Sequence, residues 1–130
     1  MKKILFVFAV LACAVGCTSK EEIATDVAGK FLKAWYSMDY NLASGLCTEH
    51  CSALVLESAK SVSDVPETLL QKMKKASEET SFEIISVDTE SCEGQATVEY
   101  LLTVPGLERA LTKRLVLKVE GRAAFVDTVE

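Results

Sequence analysis

Three side chains with soft or basic chemistry stand within five residues: Cys47, His50 and Cys51, in the order Cys-x-x-His-Cys. On a helix they would fall on about one face and could offer soft ligands, with Cys92 as a fourth. The spacing matches no known zinc-finger pattern, and an oxidising compartment favours disulfides over zinc, so no metal and no cofactor is expected. A disulfide is the better reading, with Cys47 and Cys51 the favoured pair. On a continuous α-helix their Cα atoms would be about 6 Å apart but poorly directed, and a break at Thr48-Glu49 would improve the geometry. A bridge from either to Cys92, and three reduced thiols, remain open. His50 is the only histidine and follows Glu49, so a Glu-His base is conceivable, but nothing in the spacing supplies the partners of a triad. Proton-shuttling isomerisation would need a carboxylate facing an acidic hydroxyl in an apolar pocket. The donors available are Tyr36, Tyr40 and Tyr100, and the bases are Asp39, Glu99 and Asp127. No spacing selects among them, so no catalytic residue is assigned. Trp35, Tyr36, Tyr40 and Tyr100 are the candidate pocket lining.

The elements that must position these groups follow from periodicity. Ile23, Val27, Phe31 and Trp35 recur at steps of four, flanked by Ala24, Ala28 and Leu32, and predict a long amphipathic helix with its acidic residues at the N-terminal end. Asp39 is placed to cap a short helical stretch from Tyr40 to Cys47. Thr48 to Lys60 reads as helical again, and Pro66 opens a further helix through Ser77 with Leu69, Leu70 and Met73 inward and Lys72, Lys74 and Lys75 outward. After Ser81 the period changes from 3.6 to 2. Four strands are expected, Phe82 to Thr89, Ala96 to Val104, Leu111 to Val119 and Ala123 to Val129, with Gly94, Gly106 and Gly121 at their boundaries. Pro105-Gly106 and Glu120-Gly121 are turn signals, so the strands should form an antiparallel meander. Helices followed by such a meander make an α+β architecture with the helices packed on a curved sheet.

Of the 130 residues, 49% are hydrophobic and 25% charged, with only 6 Gly and 2 Pro, a composition that folds and supports one domain. The formal charge of −5 supplies no basic face for phosphate, so no nucleic-acid partner is expected. The first 16 residues read as a leader: Lys2 and Lys3, then an uncharged run from Ile4 to Gly16 that is too short to span a bilayer. The run ends in Ala14-Val15-Gly16-Cys17, which resembles the bacterial lipobox. That resemblance implies cleavage before Cys17, diacylation of its sulfur and anchorage in a membrane. Without the leader 12 basic residues face 19 acidic ones, about −7, and Cys47, Cys51 and Cys92 remain as unlipidated thiols. The expected organisation is a lipoprotein signal peptide over 1–16, a lipidated tether over 17–22 and one α+β domain over 23–130. Thr18 rather than Asp after the lipid cysteine is similar to the signal for the outer membrane, facing the periplasm or the surface. Lys20-Glu21-Glu22 reads as tether and acidic first turn.

Val27-Ala28-Gly29-Lys30-Phe31-Leu32-Lys33-Ala34-Trp35, then Asp39-Tyr40-Asn41-Leu42-Ala43 leading to Leu46-Cys47-Thr48, resembles the nuclear transport factor 2-like, cystatin-like-fold superfamily, and within it small bacterial lipoproteins. The resemblance covers nearly all of the mature chain and implies a cone of helices on a curved sheet, whose open end often holds a pocket. Some members are isomerases or dehydratases, and many bind ligands or partners. The function expected here is a non-enzymatic binding or accessory domain for a small apolar ligand or an envelope protein. The alternatives are isomerase or dehydratase chemistry in the cone, and a structural homodimer formed through an apolar outer sheet face at Leu101 and Val116.

Overall fold

The computed structural model describes residues 19–130. The leader, Cys17 and Thr18 lie outside the described residues. Four helices precede four strands: α1 (Lys20–Tyr36), α2 (Tyr40–Ser44), α3 (Glu49–Ser63), α4 (Glu67–Glu78), β1 (Ser81–Asp88), β2 (Gln95–Thr103), β3 (Leu111–Glu120) and β4 (Ala123–Val129). The strands pair in sequence order, each antiparallel to the next. This is the α+β meander expected from the change of period.

Local chemistry sets the helix ends. Ser19 and Glu22 form a reciprocal capping box: the Glu22 amide donates to the Ser19 hydroxyl, and the Glu22 carboxylate accepts from the Ser19 amide at 2.9 Å. Helix α1 therefore starts at Lys20, inside the stretch expected as tether, because the cap satisfies its first orphan amides. At the far end Asp39 N–H reaches Ala34 C=O and Met38 N–H reaches Trp35 C=O, a Schellman closure. Met38 takes the left-handed position with φ 65°, where glycine is usual. Asp39 then accepts from the Leu42 amide and starts α2, and Thr48 with ψ 166° breaks the chain and starts α3.

One face of the sheet is apolar: Ala96, Val98, Tyr100 and Leu102 of β2, Leu115, Leu117 and Val119 of β3, and Ala124 and Val126 of β4 are all buried. Helix α1 lies across it and touches all four strands. The helix residues without exposure are Ala24, Ala28, Phe31 and Leu32, whereas Ile23, Val27 and Trp35 are half-buried on the flank. The small alanines are buried as completely as Phe31 and Leu32, in one core with the inward residues of the sheet. Bulges at Ile85 and Asp127, where the pairing register slips, bend the two edge strands. Gly121, with φ 61°, takes the first central position of the two-residue β3–β4 turn. The β2–β3 connection is longer than Pro105-Gly106 suggests and runs from Val104 to Ala110.

Helix α4 departs from expectation. Its apolar stripe of Leu69, Leu70 and Met73 does not turn into the core: no residue of α4 is buried, Leu69 is 48% exposed, and the helix makes no substantial contact with another element. Amphipathic spacing shows which side a helix could bury, but α1, with α3 beside β4, already covers the apolar sheet face. Truncation should separate the two helices. Phe31→Ala is expected to cost about 3–5 kcal/mol and Leu69→Ala under about 0.5 kcal/mol in urea unfolding. A loss above about 2 kcal/mol for Leu69→Ala would show that α4 is packed.

Candidate functional site

The candidate pocket residues fall into two separate pairs around the end of α1. Met38 turns the backbone so that Tyr40 meets Trp35 edge-on, with ring centroids 5.7 Å apart, while Trp35 stacks on Phe31 at 5.8 Å. Tyr36 projects elsewhere and meets Tyr100 at 6.4 Å, and their hydroxyls share a hydrogen bond of 3.0 Å. Consecutive positions on a helix point about 100° apart, so Trp35 and Tyr36 cannot line one wall side by side. Trp35, Tyr36 and Tyr40 are half-buried and Tyr100 is fully buried. Burial raises the Tyr100 phenol above its ordinary range, reinforced by its hydrogen bond to Tyr36 and the negative charge of Glu130. Burial also raises Tyr36, against the bond from Tyr100, and raises Tyr40.

The three candidate bases are occupied elsewhere. Asp39 caps α2, Glu99 accepts from Ser86 at 3.2 Å, and Asp127 accepts from Thr48 at 2.8 Å. None is hydrogen-bonded to a tyrosine. The tyrosine pair is therefore a neutral double hydroxyl, able to give and accept hydrogen bonds.

A second cluster sits at the exposed edge of β4. The Thr48 amide donates to Val126 C=O and the Val126 amide to Leu46 C=O, both at 2.8 Å, so the link into α3 adds a short parallel bridge at Cys47. The Thr48 hydroxyl works in both directions, donating to Asp127 and accepting from the Cys51 amide at 3.3 Å. Cys51 is buried in the first turn of α3, and Cys47 is half-buried with its thiol directed at Ala43 C=O at 3.3 Å. The two thiols also interact. Their hydrogen bond, with burial, pushes Cys47 up and holds Cys51 below the ordinary thiol range, the latter against burial and the charge of Asp127. Both cysteines are present as thiols here, and so is exposed Cys92 in the β1–β2 connection.

His50 points from the same helix turn but is exposed, and among the described residues no group of three or more His, Cys, Asp or Glu side chains is placed to hold a metal ion. Thr48 is the residue that sequence reasoning passed over. Its place ahead of Glu49-His50 marks a helix cap, but its bond to Asp127 spans the chain and has no sequence signal. On the outer sheet face, half-buried Leu101 pairs with Glu83 and Thr112, and half-buried Val116 with Thr97 and Thr128. The Glu99–Arg114 row separates them. Among the described residues no helix is long and apolar enough to cross a membrane. The chain matches no protein-family model, no curated protein and no solved structure.

The tyrosine pair has a checkable pH signature. A phenol whose folded-state pKa is raised contributes stability that is complete below the unfolded value near pH 10 and is lost as pH rises above it. Unfolding in urea between about pH 8 and 11 should show a steep alkaline loss in the native sequence and a shallower one in Tyr100→Phe. Equal slopes would mean that the Tyr100 hydroxyl is not held neutral by the fold.

Proposed function

We propose that this chain is a membrane-anchored lipoprotein of the cell envelope, held in the outer membrane by acyl chains on Cys17, whose domain binds a small apolar ligand or an envelope protein without catalysing a reaction. The observation that carries the anchor is Ala14-Val15-Gly16-Cys17 after an apolar run, followed almost at once by the Ser19 cap. Only Thr18 separates the lipid cysteine from that cap. Two or three acyl chains at about 0.8 kcal/mol per buried CH₂ hold such a protein on a bilayer for its lifetime, and the domain would work close to the membrane surface.

The binding reading rests on the aromatic corner at the end of α1. Trp35 and Tyr40 offer half-buried ring faces suited to a mostly apolar guest, whereas Tyr36, on another side of α1, keeps its hydroxyl paired with that of buried Tyr100. Engagement of Asp39, Glu99 and Asp127 in structural hydrogen bonds favours binding over isomerase chemistry, which needs a free carboxylate facing such a hydroxyl. A helix lying across an antiparallel meander also suits the nuclear transport factor 2-like fold that the opening helix and the Asp39-Tyr40 turn resemble.

The anchor and the binding role are tested separately. Cys17→Ala is expected to abolish incorporation of labelled palmitate and to move the protein from the membrane fraction to the soluble one. Palmitate still incorporated would refute lipidation at Cys17. For binding, the protein extracted gently from its own membranes is weighed by native mass spectrometry, with a co-purifying small molecule or partner chain expected. Trp35 is the only tryptophan, so its emission should shift when that guest is stripped. An unaccompanied mass and unchanged emission would remove the aromatic corner as a binding site.

A further inference from the structure

We infer that Cys47 and Cys51 are a dithiol couple that closes to a disulfide, with half-buried Cys47 taking the incoming oxidant and buried Cys51 resolving it. The inference concerns the fold alone and does not depend on the anchor or on the aromatic corner. Its basis is the break at Thr48. Were Cys47 and Cys51 on one continuous helix, their side chains would both lean toward the N-terminus, a full turn apart and poorly aimed at each other. Instead Thr48 is extended, Cys47 belongs to the bridge with Val126, and Cys51 sits three residues past the cap. The Cys51 amide donates to the Thr48 hydroxyl at 3.3 Å, so the first turn of α3 folds back over the residue that follows Cys47, and the two side chains approach from different backbone conformations.

Access and position divide the roles. Cys51 is 2% exposed, so a small disulfide in solution meets Cys47 first. The Cys47 thiolate attacks one sulfur of the oxidant, here glutathione disulfide, and releases one glutathione thiolate. The Cys51 thiolate, in the first turn of α3 where the helix dipole favours negative charge, then attacks the Cys47 sulfur and releases the second glutathione. Two protons leave the cysteines and end on the two glutathiones. The cysteines are oxidised to one disulfide as glutathione disulfide is reduced. The second step is intramolecular, from the first turn of α3, so the mixed disulfide should not accumulate. Cys92, exposed in the β1–β2 connection, has no part in the couple.

The bridge would lie where the helices are tied to the sheet. Cys47, Thr48, Val126 and Asp127 carry the contacts that fasten α3 to the edge of β4, so closing the ring between Cys47 and the first turn of α3 stiffens that joint.

The test uses the full chain, purified reduced and incubated with excess glutathione disulfide, then alkylated in denaturant and digested with trypsin. The tryptic peptide 34–60 carries both cysteines. It is expected unalkylated and lighter by about two hydrogens, with Cys92 alkylated or glutathionylated. Cys51→Ser should stop at a glutathione adduct on Cys47, whereas Cys47→Ser should leave Cys51 unmodified until denaturant is added. Recovery of peptide 34–60 with two alkylated cysteines after Cys92 has reacted would overturn the inference, and so would a bridge from Cys47 or Cys51 to Cys92. These two readouts use the native sequence and stand even if a serine variant fails to fold. A glutathione adduct on Cys51 in folded Cys47→Ser would reverse the assigned roles.

Discussion

The close approach of α1 to the sheet is the contact on which the rest of this structure depends. Ala24, Ala28, Phe31 and Leu32 have no exposure and share one core with the inward valines and leucines of β2, β3 and β4. Burial of that apolar face is the largest favourable contribution available to a chain of this size, and no charged or polar residue is buried among the described residues. Once the helix is seated, its C-terminus must lie near Tyr100, and the left-handed turn at Met38 sends α2 and α3 back along the β4 side.

That return solves a second problem, the unpaired edge of β4. Edge strands expose a row of unsatisfied amides and carbonyls that invite pairing with other chains. Leu46 to Thr48 covers part of this edge with two backbone hydrogen bonds, and the bulge at Asp127 places its carboxylate against the Thr48 hydroxyl. The same few residues thus end the sheet, begin α3 and bring two cysteines together. Stability and thiol chemistry share one joint there, whereas the aromatic corner at the end of α1 has other residues and can vary independently.

Much of this was legible in order along the chain. Asp39 acts as a cap because a short oxygen-bearing side chain satisfies the first amides of a helix wherever it stands, and the strand limits follow from alternation and glycine, whereas periodicity marks Thr48 as the start of a helix and not as its cap. The spacing of Cys47 and Cys51 was visible too, as was the need for a break between them. Less legible was which side of α1 would lie deepest. Steps of four pointed to Ile23, Val27, Phe31 and Trp35, but close packing selects by volume as well as by polarity, so of these only Phe31 is fully buried, with the flanking Ala24, Ala28 and Leu32, and Trp35 is left half-buried.

Amino-acid order by itself determined the α+β class, the antiparallel meander and the Asp39 cap, because each is written in neighbours a few residues apart. Only the tertiary structure decided that Leu69 of α4 stays exposed, that Trp35 and Tyr36 serve different partners, and that Thr48 bonds Asp127. These depend on which surfaces remain uncovered after α1 has docked and on how two bulges redirect the edge strands. Such contacts join residues distant in the chain, and a local pattern carries no record of them.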